Sequence, residues 1–192
     1  MSSLQSEIVV VSGLPRSGTS LMMQMLEQGG LPIMTDNERV ADPDNPRGYL
    51  ELEKVKKLKS DASWLPEARG SAVKMISQLL YDLPTHHCYR VIFMERDLEE
   101  VLDSQEKMLA RLNQQAAPRD RIREAFRVHL ERLHQWIKQQ SHLNVLLVSY
   151  NGLLEDPLRE AQRVATFLDA RVDPRKMAEA VDPALYRNRK RG

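Results

Sequence analysis

The sequence predicts a three-layer α/β domain, with a central, mostly parallel sheet of about four to five strands flanked by helices. Three observations carry that reading. Short aliphatic runs at 8–12 (IVVVS), 72–76 (AVKMI), 90–94 (RVIFM) and 144–149 (NVLLVS) alternate with longer segments of helical periodicity. None of the runs alternates polar with apolar residues, and a continuous apolar run is what a strand covered on both faces requires. Strand and helix taking turns along the chain then implies right-handed crossovers between parallel neighbours.

The elements follow in order. The first run is rich in β-branched residues and ends at Gly13, a turn signal. After Gly18 the chain takes up a helical pattern. The stretch 32–47 (PIMTDNERVADPDNPR) holds three prolines and no sustained period, so a long surface loop is expected, of the kind that is often functional in compact domains. Beyond the third run, Leu98, Val101, Leu102, Met108, Leu109 and Leu112 recur at helical spacing. So do Ile122, Phe126, Leu130, Leu133 and Ile137, and after the fourth run Leu158, Ala161, Val164, Ala165 and Leu168. Each set marks one apolar helix face. No repeat or low-complexity linker divides the chain, so a single domain over 1–192 is expected.

Composition narrows the function classes. With 28 Lys+Arg against 27 Asp+Glu the net charge is +1, which provides no global field for nucleic acid or a membrane surface. The 42% hydrophobic and 29% charged content is that of an ordinary globular domain. No apolar run reaches the roughly 18 residues a membrane span needs, and the N-terminus (MSSLQSEIVVVSG) lacks the basic start and cleavage site of a signal peptide. A lone cysteine, Cys88, excludes an internal disulfide framework and makes a thiolate zinc site unsuitable. The expectation is a cytoplasmic protein without a membrane span, nucleic-acid partner or metal.

The most informative segment is Gly13-Leu-Pro-Arg-Ser-Gly18-Thr19-Ser20. It follows a strand and opens a helix, the context of a phosphate-cradling loop and of a P-loop NTPase-like domain. Glycine admits close backbone approach to an anion, converging N–H groups bind it, and the helix N-terminus adds a favourable dipole. The spacing is that of G-x-x-x-x-G-K-[ST], except that Thr19 replaces the lysine that reaches the β- and γ-phosphates of a nucleoside triphosphate. The pocket therefore suits a shorter, less charged anion.

Pro15-Arg16-Ser17-Gly18-Thr19-Ser20 resembles the 5′-phosphosulfate loop of sulfotransferases that use 3′-phosphoadenosine 5′-phosphosulfate (PAPS). The resemblance implies that Arg16 contacts the bridging oxygen and the sulfuryl group, and that Ser17, Gly18, Thr19 and Ser20 hold the 5′-phosphate. Arg96, eight residues before Ser104 and just after the third strand, resembles the family's 3′-phosphate site. The plain alternative for Arg96 is a solvated charge or a partner for Asp97 or Glu100. Ser149-Tyr-Asn-Gly-Leu-Leu-Glu-Asp-Pro157 resembles the family's segment after a late strand and is read as fold evidence alone. The likeness runs from about residue 8 to about residue 168. It implies sulfuryl transfer to a hydroxyl or amine of a small-molecule, peptide or glycan acceptor, with release of adenosine 3′,5′-bisphosphate and no metal requirement.

One family feature is absent. Many members carry a catalytic histidine in a Lys-x-His segment after the second strand, and here Lys74-Met75-Ile76 puts isoleucine at that place. The tyrosylprotein branch instead uses a glutamate about twenty residues beyond the loop, which nominates Asp36 or Glu38 as the general base, and Glu51, in Arg47-Gly-Tyr-Leu-Glu51, is a third candidate. Glu38 leads, because Glu38-Arg39 best resembles that branch, and Glu51 is expected to open the helix that follows. His86 and His87 are the fallback. Lys74, at the carboxyl end of a strand, is expected to face the ligand crevice and stabilise charge on the sulfuryl group. The basic tail Arg187 to Arg191 is read as a solvated end or a clamp on the 3′-phosphate. Two rival readings stand beside this one: a small kinase with Ser20 on Mg²⁺ and Glu95 as its acidic strand residue, and a catalytically silent nucleotide-binding module.

Overall fold

The computed structural model describes residues 6–36 and 48–182. Four strands, β1 (Ile8–Gly13), β2 (Ala72–Lys74), β3 (Tyr89–Glu95) and β4 (Leu143–Ser149), form one sheet in the order β2-β1-β3-β4. Every pairing is parallel, as the continuous apolar runs predict. Ile8 stands opposite Tyr89 and Tyr89 opposite Leu143, so β1, β3 and β4 start level. Gly13, Lys74, Glu95 and Ser149 consequently end on one edge, where ligands bind in open α/β sheets. Beyond β2 the chain adds an isolated parallel bridge, Ile33 to Ala72, with hydrogen bonds on both sides of it at 2.8 Å.

Alternate side chains of each strand serve opposite faces. Val9, Val11, Ile92 and Met94 meet α1 (Thr19–Gln28), α5 (Pro157–Phe167) and α6 (Pro174–Glu179) through Met22, Leu26, Val164 and Met177. Ile8, Val10, Val91 and Phe93 face the other way, onto Trp64, Leu65, Leu80 and Leu133, the last from α3 (Arg119–Ile137). Each fully buried side chain of this size contributes about 1.5–3 kcal/mol. α2 (Leu98–Arg111) starts with Asp97 accepting from the N–H groups of Glu99 and Glu100, an N-cap. Arg119 of α3 reaches back to Glu99 and Asp103 at 2.8 and 2.7 Å, and Arg123 meets Glu99 at 2.6 Å. Those two guanidiniums pull the Glu99 carboxyl down to about 2.

Three departures from expectation have local causes. The second strand ends at Lys74 rather than residue 76: Met75 N–H still donates to Val11 at 3.0 Å, but Ile76 is half exposed and leads into a 3₁₀ turn, Ser77–Asp82. Glu51 precedes the next helical turn, Glu53–Lys57, instead of opening it. Two short helices, α4 (Tyr150–Glu155) and α6, escape periodicity because six residues make fewer than two turns. Their caps are legible all the same, Ser149 for α4 and Asp173-Pro174 for α6, the latter repeating the Asp156-Pro157 start of α5.

Gly18 fixes how loop and helix meet. It is the N-cap of α1 at φ +101°, and a Cβ there would run into the Tyr150 ring. Gly18→Ala should therefore cost about 1–3 kcal/mol of backbone strain before any ring displacement. Thermal unfolding should register it as a fall of several degrees, at roughly 2–4 °C per kcal/mol for a chain of this size. An unchanged Tm would mean that the loop does not need this conformation.

A second expectation concerns pH. Burial lowers the imidazole pKa of His87, His129 and His142 below 6.5, and His134 adds to the effect at His129. Their folded-state values lie below the unfolded ones, so the unfolded chain gains protons first as pH falls through about 6.5. Stability should be full above that point and decline below it. Tm at about pH 5.5 should be lower than at about pH 7.5; an equal or higher value would show that these rings do not resist protonation.

Candidate functional site

The phosphate loop leaves β1 at Gly13 and enters α1 at Thr19. Pro15 is exposed, Arg16 sits at φ +69°, and Ser17 is buried. A Cβ on Gly13 would lie 2.6 Å from the Met94 carbonyl and against the Ser17 hydroxyl, so the turn packs directly on β3. The N-cap of α1, Gly18, has no side chain to cap the helix, which leaves its first N–H groups to other acceptors. The Ser17 hydroxyl is buried with no hydrogen-bond partner among the described residues. A helix start whose N-cap offers no side chain, a glycine cradle and an orphaned hydroxyl in one turn fit a phosphate oxygen.

Two groups of side chains border this loop. The first centres on Arg96, immediately after β3. Its Nη1 donates to the Arg16 carbonyl at 3.0 Å, its Nε donates to Glu100 at 3.0 Å, and its guanidinium lies 4.5 Å from the Tyr150 ring centroid. That last contact is a cation–π pair. Burial pushes the Tyr150 phenol above its ordinary value, with Arg96 pulling the other way. Arg16 Nε donates to Ser104 Oγ at 3.0 Å. Arg16 is thus joined to both Arg96 and Ser104, 80 and 88 residues further along the chain, and Arg96 also keeps the Glu100 partner that its plain reading allowed.

The second group centres on Lys74, which is 9% exposed at the carboxyl end of β2. Its ammonium donates to the Tyr49 carbonyl and to Ser20 Oγ at 3.3 Å, and pairs with Glu51 at 3.3 Å. A buried lysine needs such partners. They converge because Leu50 sits at φ +49°, a conformation unusual outside glycine, and the reversal turns the Tyr49 carbonyl and the Glu51 side chain toward one cation. The segment is zipped to an earlier stretch of the same chain: Thr35 Oγ1 donates to the Glu51 carbonyl at 2.9 Å and Asp36 N–H at 3.2 Å.

The nominated bases therefore occupy different surroundings. The Asp36 carboxylate is exposed and accepts from Glu53 N–H at 2.5 Å, capping a turn. Glu51 meets Lys74. Glu38 with Arg39, and the tail Arg187 to Arg191, lie outside the described residues. His86 and His87 precede β3, at the amino edge of the sheet and a strand length from the loop. His129 bonds Ser77 Oγ at 2.9 Å and His134 packs edge-on against Phe93. Sequence reasoning did not single out Tyr49, Leu50 and Asn151, and met Glu100 as a partner for Arg96 and not as a site residue. Only Glu100 carried a signal, four residues after Arg96 where helix neighbours meet.

No helix among the described residues is long and apolar enough to cross a membrane. No curated protein sequence matches the chain. Its architecture is similar to that of solved sulfotransferases. A sulfotransferase domain from the Synechococcus PCC 7002 olefin synthase is 15% identical with a TM-score of 0.58, over 93% of this chain and 85% of that one. A sulfotransferase of Mycobacterium avium is 15% identical with a TM-score of 0.56, over 93% and 67%. A domain from the curacin biosynthetic pathway is 12% identical with a TM-score of 0.54, over 92% and 78%. At such identities the likeness is one of fold. The sequence pattern of the sulfotransferase domain adds what fold alone does not, matching residues 6–191, and by that match the chain belongs to the sulfotransferase domain family.

Proposed function

We propose that the chain moves a sulfuryl group from PAPS to a hydroxyl or amine acceptor and releases adenosine 3′,5′-bisphosphate. The observation that carries this reading is the convergence of Lys74, Ser20 and Glu51 beside a phosphate loop that lacks the triphosphate lysine. PAPS supplies the sulfuryl group as a phosphate–sulfate anhydride. Ser17, Gly18, Thr19 and Ser20 take the 5′-phosphate through loop N–H groups and hydroxyls, which the orphaned Ser17 hydroxyl supports. Arg96 and Ser104 take the 3′-phosphate, supported by their shared proximity to Arg16. Arg16 adds positive charge from within the loop. Lys74, fixed in a buried position, stabilises negative charge on the transferring group, where a preorganised cation is worth most.

Glu51 is the proposed base. Its carboxylate is 24% exposed, open enough for an acceptor hydroxyl to reach it, and it removes the acceptor proton as the oxygen attacks. Proton transfer requires an acceptor oxygen within about 3 Å of that carboxylate. Holding donor and acceptor in line supplies the remainder through proximity. The acceptor is a small molecule, peptide or glycan bearing such a group.

Two measurements test the reading. Adenosine 3′,5′-bisphosphate should raise Tm more than ATP does, with or without Mg²⁺; stronger stabilisation by Mg²⁺-ATP would favour the kinase reading. Glu51→Gln, which keeps shape and removes basicity, should lower kcat by about 10²–10⁴-fold, with bisphosphate affinity within about twofold because the 3′- and 5′-phosphate groups are untouched. Full turnover in that variant would return the role of base to Asp36 or Glu38. A wild-type chain that binds the bisphosphate but turns over no acceptor in a panel assayed with labelled donor would favour the silent binding module.

A further inference from the structure

We infer that Glu100 is a positioning residue for recognition of the 3′-phosphate, through the orientation it imposes on Arg96; the inference rests on the donor reading above. Glu100 lies in the first turn of α2 with its side chain 4% exposed. A carboxylate that deep is retained only when its oxygens are engaged, and both are. Oε2 accepts from Arg96 Nε at 3.0 Å and Oε1 accepts from Asn151 Nδ2 at 3.1 Å. One carboxylate therefore joins the β3–α2 junction to α4.

The geometry it imposes is directional. With Nε on Glu100, Nη1 on the Arg16 carbonyl and the guanidinium face on Tyr150, the plane of Arg96 is set by three contacts on three elements. Arginine recognises phosphate through a rigid planar fork, so its orientation matters as much as its charge. Electrostatics alone points the other way. A second anion beside a phosphate site weakens binding by repulsion, and a protein selecting only for charge would place an apolar residue at 100. Keeping a buried glutamate there is sensible when holding the fork in register outweighs that repulsion. Asn151 secures the carboxylate from behind and links its position to the same helix, α4, that presents Tyr150.

The two roles predict opposite results. Affinities for adenosine 3′,5′-bisphosphate and adenosine 5′-phosphate are measured by calorimetry on the full chain, and their ratio reports discrimination for the 3′-phosphate. In Glu100→Gln the ratio should fall about tenfold, the scale of one charge-assisted contact, with 5′-phosphate affinity within about twofold of wild type. Asn151→Ala, which removes one anchor and leaves the charge, should shift the ratio the same way by a smaller factor. A ratio that stays within about twofold, or rises because a negative charge has gone, overturns the inference. Should Glu100→Gln fail to fold, Glu100→Asp carries the test: it keeps the charge but is one methylene too short to reach both partners, and it must also lower the ratio. A merely structural role would lower Tm without changing the ratio. A wild-type protein with no preference between the two ligands would overturn the donor reading and this inference together, whereas a wild-type preference that Glu100→Gln leaves intact overturns this inference alone.

Discussion

The guanidinium of Arg96 is the contact on which the architecture of the site depends. It joins the loop after β1, the start of α2 and the start of α4 through the Arg16 carbonyl, Glu100 and the Tyr150 ring. The same ring leaves room for the loop only because residue 18 has no side chain. Loop, helix start and aromatic lid of the cation are consequently one packing problem with one solution. Such a solution is stiff, since polar partners in a low-dielectric interior are costly to misplace.

The sheet makes this junction possible. In a parallel sheet with level strand starts, the residues that follow β1, β2, β3 and β4 share one edge regardless of their separation in sequence. Arg16, Lys74, Arg96 and Tyr150 each leave a different strand, and no local interaction would have gathered them. What the two packed faces contribute is rigidity. β1 is buried along its length between two apolar layers, so the loop it carries inherits a fixed origin, as a preorganised site requires.

This division explains what could be read from sequence. The strands, the helices at 98–112 and 122–137, and the glycine loop each rest on patterns of a few consecutive residues, and the structure has them with ends shifted by no more than three residues. Arg16, Arg96 and Ser104 were nominated through the resemblance of their motifs to the family's, and the fold brings Arg16 to both of the others. The Lys74–Glu51 pair was harder. It depends on a left-handed Leu50 and on the zipping of Thr35 and Asp36 onto the Glu51 backbone, neither of which has a sequence signature: leucine does not announce a positive φ as glycine or asparagine does. Asp36, Glu38 and Glu51 look equivalent as acids in a loop, and only the local fold separates Asp36, engaged on a backbone N–H, from Glu51, engaged on a cation.

Two of the site's cations each stand opposite a carboxylate, and exposure sets the two pairs apart. Glu100 is 4% exposed beside an arginine of 6%, whereas Glu51 is 24% exposed beside a lysine of 8%. Separating a fully buried pair leaves two uncompensated charges and is strongly unfavourable, so the Arg96–Glu100 pair persists whatever binds nearby. Separating the Lys74–Glu51 pair costs less, because water or an acceptor hydroxyl can replace the ammonium at the carboxylate while an anionic group replaces the carboxylate at the ammonium. In the proposed reaction that exchange is the productive event: as the sulfuryl oxygens take the carboxylate's place at the fixed ammonium, the carboxylate they displace is the base the acceptor needs. Glu100 cannot make the same exchange, and the depth at which each acid is buried is what divides holding a cation from giving one up.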